Sequence, residues 1–286
     1  MTSDEGSFKV SPEMEQCGPL LWTKLEIVVE ACPGSFGRVF FHKVASQIQE
    51  GPTCGFVACP GSFGRVFFHK VASQIQEGPT CGFVGLILAA RSAGLVPEEK
   101  YEVGLKDVLA WARMVKFTNM GEMFSADWLA RIGNEFYTLG KFETMNFPTA
   151  SEIVKYVNEQ QIFLVPYDCD KNFEPIERNG EGAHWAAVVG YFLMHSEADD
   201  PSKQIIRFEK VEEADNVKED ELFVVAYQGK SKHPALWKFT DLKKSNFQLR
   251  IADTKKAASF QLPKKENPED PDLFGLLGKV VKVNRK

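Results

Sequence analysis

Residues 31–57 read ACPGSFGRVFFHKVASQIQEGPTCGFV, and residues 58–84 repeat them letter for letter. No other feature constrains the fold as much, because any place that suits one copy suits the other by local sequence. Solenoid repeats diverge, recur three or more times and end in atypical caps; two identical copies do none of this. The pattern is that of a recent tandem duplication, or of an exon counted twice. Context separates the copies. The second runs on into Gly85-Leu86-Ile87-Leu88-Ala89-Ala90-Arg91-Ser92-Ala93-Gly94, which predicts a helix of three to four turns from Thr80 ending at Gly94. The first runs into Ala58-Cys59-Pro60-Gly61, where proline and glycine stop a helix after about one turn. The second copy is therefore expected to carry any function, and residues 31–57 to loop out.

Residues 1–30 read as a polar extension followed by an apolar lead-in, Leu20–Glu30, of ambiguous type. Phe63–Val71 suggests a strand ahead of the Thr80 helix. Leu105–Val115 carries an apolar helical stripe, Ser125 caps a further helix, and Thr149-Ala150-Ser151-Glu152 is a capping box ahead of Ile153–Gln160. Beyond Gln161 the pattern changes to strands, at Ile162–Val165, Trp185–Leu193, Leu222–Tyr227, Leu236–Phe239 and Lys279–Val283. Helices first and strands second imply an α+β fold with an antiparallel sheet. Charged loops are expected at 197–221 and 263–272, as trimmings on one domain over 58–286.

The net charge of −5 argues against nucleic-acid binding. No apolar run reaches the ~18–20 residues that span a bilayer, and the acidic start Met1–Gly6 is no signal peptide. A cytoplasmic protein without a membrane partner is expected. The six cysteines form no C-x-x-C pair and the five histidines no H-x-x-x-H spacing, so neither a metal nor another cofactor is expected.

The strongest local chemistry lies in Gln76-Glu77-Gly78-Pro79-Thr80-Cys81-Gly82. Cys81 falls in the first helical turn, where free N–H groups and the helix dipole favour a thiolate. Gly82 would leave the face beside the sulfur open to a substrate carbonyl. Gln76 could aim an amide at that carbonyl oxygen and form an oxyanion hole with the Cys81 N–H. A loop-to-helix turn with a buried cysteine would look much the same. His184, at the head of the apolar strand after Gly180-Glu181-Gly182-Ala183, is the candidate base; an edge histidine with a structural hydrogen bond is the bland alternative. His69 lies inside a strand pattern and reads as structural. Helix cysteine followed by strand histidine is the papain-type order. Gln228 is the candidate to orient the imidazole through its amide, with Asp168 a weaker one.

Taken together, the Gln76–Gly82 box, Gly182-Ala183-His184-Trp185 and Gln228-Gly229-Lys230-Ser231-Lys232-His233 resemble the actin maturation proteases. The resemblance runs from about residue 58 to 250, plus Gly278–Val283. It implies a papain-like cysteine peptidase related to the peptidases that trim double-glycine leaders. Its activity would be removal of an N-acetylated first residue, Met or Cys, from the acidic N-terminus of immature actin. The family pattern has one Gln–Cys box where this chain has two. Some members carry a proline-rich N-terminal region suited to a profilin-type partner, which residues 1–30 lack. Residues 228–250 are basic, and Lys230 and Lys232 are candidates to draw in the acidic substrate; a solvated lysine face is the alternative. Two rivals use the same residues: another thiol acyl transfer, such as deamidation or deubiquitination, and a non-catalytic actin- or profilin-binding module inactivated by the duplication.

Overall fold

The computed structural model describes residues 36–39, 63–69, 74–96, 104–195, 205–207, 211, 214–253 and 257–286. Ten strands form one sheet: β1 (Phe36–Val39), β2 (Phe63–Phe68), β3 (Gly140–Asn146), β4 (Ile162–Cys169), β5 (Pro175–Ile176), β6 (Ala183–His195), β7 (Ile205–Arg207), β8 (Leu222–Tyr227), β9 (Ala235–Lys238) and β10 (Lys279–Arg285). The helices are α1 (Cys81–Ser92), α2 (Leu105–Met114), α3 (Ala126–Phe136), α4 (Ala150–Asn158) and α5 (Phe239–Phe247). All pairings are antiparallel except β2 with β7. This is the α+β architecture expected, with the cysteine helix packed on a sheet that carries the histidine strand. Among the described residues no helix is long and apolar enough to cross a membrane.

The long strand β6 is the hub. β4 and β8 overlap on Ala187 and Val188, so they take opposite edges of β6. β2 overlaps β8 further along and therefore extends the β4 edge. Helices cover both faces. One core joins α1, α2 and α3 to Leu164, Ala187, Val225 and Tyr227. The other joins Ile153, Val154 and Val157 of α4 and Phe239 and Leu242 of α5 to Phe163, Val165, Val224 and Ala226. Double coverage explains why Leu222–Tyr227 is apolar at every position; alternate side chains feed opposite cores. α1 is enclosed too, with every residue from Gly82 to Ala90 buried. A helix apolar all round belongs inside, and truncating Leu86 there would cost about 2–5 kcal/mol.

Local signals set the helix ends. Ser125 accepts the Trp128 N–H at 3.2 Å. Thr149 and Glu152 form the reciprocal capping box, with the cap side chain contributing roughly 1 kcal/mol. Gly94, at φ +65, ends the first turn beyond α1. Several elements differ from expectation. β1, β3, β5 and α5 are additional, and Ile205–Arg207 within the 197–221 segment is a strand rather than loop. Residues 1–30 lie outside the described residues.

The duplication leaves a signature on β6. Gly37 and Gly64 both partner Met194, Arg38 and Arg65 both partner Leu193, and Val39 and Val66 both partner Phe192. Identical sequence has selected identical register. With β8 on the other edge, the two copies share one register on the remaining edge of β6. The remainder of 31–57 lies outside the described residues.

Candidate active site

Cys81 opens α1, and its helix is placed by what surrounds Gly82. A Cβ on Gly82 would lie 2.8 Å from Met123 Cβ and 3.3 Å from Trp185 Cδ1. The glycine therefore permits close packing instead of leaving an open face, which corrects its expected role beside the substrate. Trp185 Nε1 donates to the Met123 carbonyl at 2.8 Å and locks this wall in place. Thr80, at the N-cap, turns its hydroxyl back to the Glu77 carbonyl at 2.7 Å. No side chain caps the helix, so its first N–H groups stay directed at the sulfur end.

His184 is 6% exposed. Its Nε2 lies 2.7 Å from the main-chain carbonyl of Gln228. A carbonyl only accepts, so Nε2 carries the hydrogen and Nδ1 keeps the lone pair that can take a proton. Tyr167 and Phe173 flank the ring at centroid distances of 5.7 Å and 5.3 Å. Gln228 thus meets the imidazole through its backbone, not through the amide expected. Its side-chain oxygen instead accepts the Lys230 N–H at 2.5 Å. The next residue, Gly229, accepts the Gln76 N–H at 2.7 Å. One turn consequently holds both the histidine and the loop that leads to Cys81. Gly229 has φ +75, and a Cβ there would meet Val84 at 3.2 Å and Gln76 at 3.5 Å, so only glycine suits the turn.

Asp168 does not touch the imidazole in any hydrogen bond. Fully buried, it accepts the N–H groups of Arg178 and Gly180 at 2.8 Å and of Gly182 at 2.9 Å. It fixes the loop that feeds His184 into β6. Gln76 turns its Nε2 to the Gly78 carbonyl at 2.6 Å, while its Oε1 is buried with no partner. That bond uses one of the two Nε2 hydrogens. His69 bonds the Val157 carbonyl at 3.2 Å and packs edge-on against Phe67, remote from this chemistry in role.

Cys81, His184 and Gln76 line a single cavity of about 240 Å³. Its other walls come from distant segments: Glu122 and Met123 before α3, Cys169 at the end of β4, and Phe260 and Leu276 from the stretch before β10. No motif announced them, since each is an ordinary residue by local sequence; Phe260 and Leu276 flank a segment read only as a charged loop.

The resting acidity runs against the helix-start expectation. Burial pushes the Cys81 thiol up to about 11, and the N–H groups of Trp185, Gly82 and Cys81 itself, with the Lys230 charge, offset this only in part. Burial also pulls His184 down to about 4; the Gln228 carbonyl opposes the shift and Lys230 adds to it. Burial thus disfavours the charged form of each group. Lys230 is exposed, with Nζ 6.0 Å from the Phe173 ring centroid. Lys232 is exposed two residues on. The rest of the basic stretch is not one surface, because Lys243 pairs with Glu219 at 2.6 Å. Among the described residues no group of three or more His, Cys, Asp or Glu could hold a metal ion.

A sequence family described as actin maturation protease-like, C-terminal domain, matches residues 71–192, which include the second Gln–Cys box and His184. The actin maturation protease of Danio rerio is 33% identical to this chain over 259 residues, covering 83% of this chain and 73% of that protein. That of Xenopus tropicalis is 32% identical, covering 75% and 63%. That of Homo sapiens is 29% identical, covering 74% and 56%. Among solved structures, a putative C39-like peptidase from Bacillus anthracis aligns with a TM-score of 0.42 at 10% identity, over 75% of this chain and 95% of that one.

Proposed function

The chain belongs to the actin maturation protease family, and from that premise we propose that it is a cysteine aminopeptidase acting on the acidic N-terminus of immature actin. It removes the N-acetylated first residue, Met or Cys. The observation that carries this reading is the meeting of Cys81 and a backbone-anchored His184 in one small cavity.

In the reaction, Nδ1 of His184 takes the thiol proton as Cys81 Sγ attacks the carbonyl of the first residue. A neutral pair suits this general-base route, since the proton moves only as the sulfur engages a substrate. The oxyanion is met by the Cys81 N–H and the remaining Nε2 hydrogen of Gln76. The imidazolium then protonates the departing nitrogen, which becomes the new N-terminus of actin. Water, deprotonated by the same imidazole, hydrolyses the thioester and frees the acetylated residue. Lys230 and Lys232 draw the acidic residues beyond the scissile bond toward the thiol.

Mass spectrometry of immature actin incubated with the protein tests the reading. Loss of one acetylated residue, absent with Cys81→Ala, is expected. An unchanged actin N-terminus would refute it.

A further inference from the structure

The hydrogen bond from His184 Nε2 to the Gln228 carbonyl, at 2.7 Å, decides which nitrogen of the imidazole keeps its lone pair. Such a bond gains little where water competes for both partners. What shields it is therefore part of how the base is built.

Two rings stand against the imidazole, and they are held differently. Tyr167 lies directly opposite His184 in the β4–β6 register, fully buried in one of the two cores. Phe173 is half-buried and comes from the turn between β4 and β5. Its φ is +63, in the left-handed region that bulky side chains rarely adopt. Glycine or asparagine would suit that backbone better, so the turn by itself does not ask for a phenylalanine.

The turn is nevertheless closely held. Asp170 Oδ1 accepts the N–H groups of Asn172 at 2.7 Å and Glu174 at 2.9 Å. The Asp170 N–H donates to the Glu174 carbonyl at 3.0 Å. The Tyr167 hydroxyl donates to the Phe173 carbonyl at 2.9 Å, so one neighbour of the imidazole anchors the other. A strained residue persists where its surroundings over-determine it, and such residues gather at functional sites. What these bonds aim is the Phe173 ring. Its centroid is 5.3 Å from that of His184, and Lys230 Nζ stands 6.0 Å from it. Lys230 follows Gln228 by two residues, so the ring bridges the imidazole and the turn that supplies its carbonyl. Phe173 does not line the cavity beside Cys81, which leaves it to act through the histidine and not on a substrate.

We propose that Phe173 is a positioning residue for His184, its ring covering the solvent side of the imidazole and keeping water from the Nε2–Gln228 bond. The proposal rests on the reading of His184 as the base. With water excluded the bond is stronger, and the imidazole stays in the orientation that offers Nδ1 to the Cys81 proton.

Proton exchange at His184 Nε2, read by NMR of the full chain with labelled histidine, tests this without turnover. His69 is the internal control: its Nε2 bonds the Val157 carbonyl at 3.2 Å, and it is 7% exposed against 6% for His184. Phe173→Gly removes the ring and suits φ +63. It should speed exchange at His184 by about 10-fold or more and leave His69 unchanged. It should also lower kcat on an N-acetylated acidic peptide by about 10-fold, with KM within a few-fold of wild type. Phe173→Tyr should restore both. Tyr167→Phe keeps the buried ring and loses only the hydroxyl bond to the turn, so it should give a smaller change in the same direction. Unaltered exchange at His184 in Phe173→Gly would overturn the proposal, and so would equal acceleration at His69. Should the glycine variant not fold, unaltered exchange in Tyr167→Phe would overturn it alone. No cleavage by the wild type would instead overturn the aminopeptidase reading, which the exchange measurement does not need.

Discussion

Cys81 and Cys169 line the same cavity, yet they are built to opposite ends. Burial raises both thiols, to about 11 for Cys81 and about 12 for Cys169. At Cys169 the neighbouring charges add to the burial: Asp168, the Cys81 thiolate and Asp170 all disfavour ionisation, and Arg178 alone opposes it. At Cys81 everything except burial works the other way, through three N–H groups and Lys230. A nucleophile in this site is therefore distinguished less by its resting acidity than by what waits to stabilise the sulfur once it gives up its proton. Backbone N–H groups at a helix start and a lysine act on one sulfur; the other stands at a strand end between two aspartates.

The largest expected effect breaks or upholds that contrast directly. Cys81→Ala should lower the rate of actin N-terminal processing by on the order of 10³-fold or more. Cys169→Ala and Cys54→Ala should each stay within a few-fold of wild type. Comparable losses from Cys81 and Cys169, read by mass spectrometry of the product, would erase the distinction.

Next comes His184, the base of the proposed reaction. His184 is depressed from 6.5 to about 4 by burial, so its neutral form contributes stability that is complete above pH 6.5. That contribution is lost as pH falls toward 4, because the unfolded chain then binds a proton that the folded chain refuses. The loss amounts to up to about 3 kcal/mol. Denaturant titrations between pH 7 and pH 4 should show the decline, and His184→Gln should flatten it. The same slope in both proteins would mean that another group carries it.

A smaller effect sharpens the comparison from outside the cavity. Replacing Lys230 and Lys232 by Glu should raise KM for acidic peptides about 10-fold and reverse the sign of its salt dependence, since attraction becomes repulsion and salt screens either one beyond ~10 Å at 0.1 M. The same change should alter alkylation of Cys81 and Cys169 by a small neutral reagent little, because Lys230 is the smallest of the influences on the first thiol. Peptide mapping after brief iodoacetamide treatment reads both sites together, and parallel slowing would contradict the assignment.

The smallest effect concerns the duplicate. β1 and β2 claim the same register on β6, but only β2 leads to α1 by a short connection. The longer route from β1 costs about 1 kcal/mol more in closure entropy. Deleting residues 31–57 should leave activity intact and raise the melting temperature by a few degrees or leave it unchanged. A clearly lower melting temperature would show that the first copy supports the fold.

Much of this arrangement was legible in the residues themselves. β8 declared itself as an unbroken apolar run, α3 and α4 by their caps, and the Gln76–Gly82 box by its position ahead of an uninterrupted helix. α5 was hidden because Lys243 and Lys244 make it read as a basic stretch, although its other side buries Phe239 and Leu242. β3 was hidden because its exposed and half-buried polar residues become a strand only when β10 pairs with it from the far end of the chain.

What the sequence determined by itself is whatever depends on near neighbours: which copy can continue into a helix, where helices begin, and which residue types could serve as nucleophile, base and amide donor. Tertiary structure decided the rest. It brought the carbonyl of Gln228, not its amide, to the imidazole, made Asp168 the anchor of a loop, and closed Gly82 under Met123. It also turned an expected thiolate into a thiol with a pKa of about 11. The reason is one of range. Helix propensity and capping act within a turn, whereas desolvation and the field at a sulfur are set by atoms that the chain brings from as far as Trp185 and Lys230, and no local pattern records that they will meet.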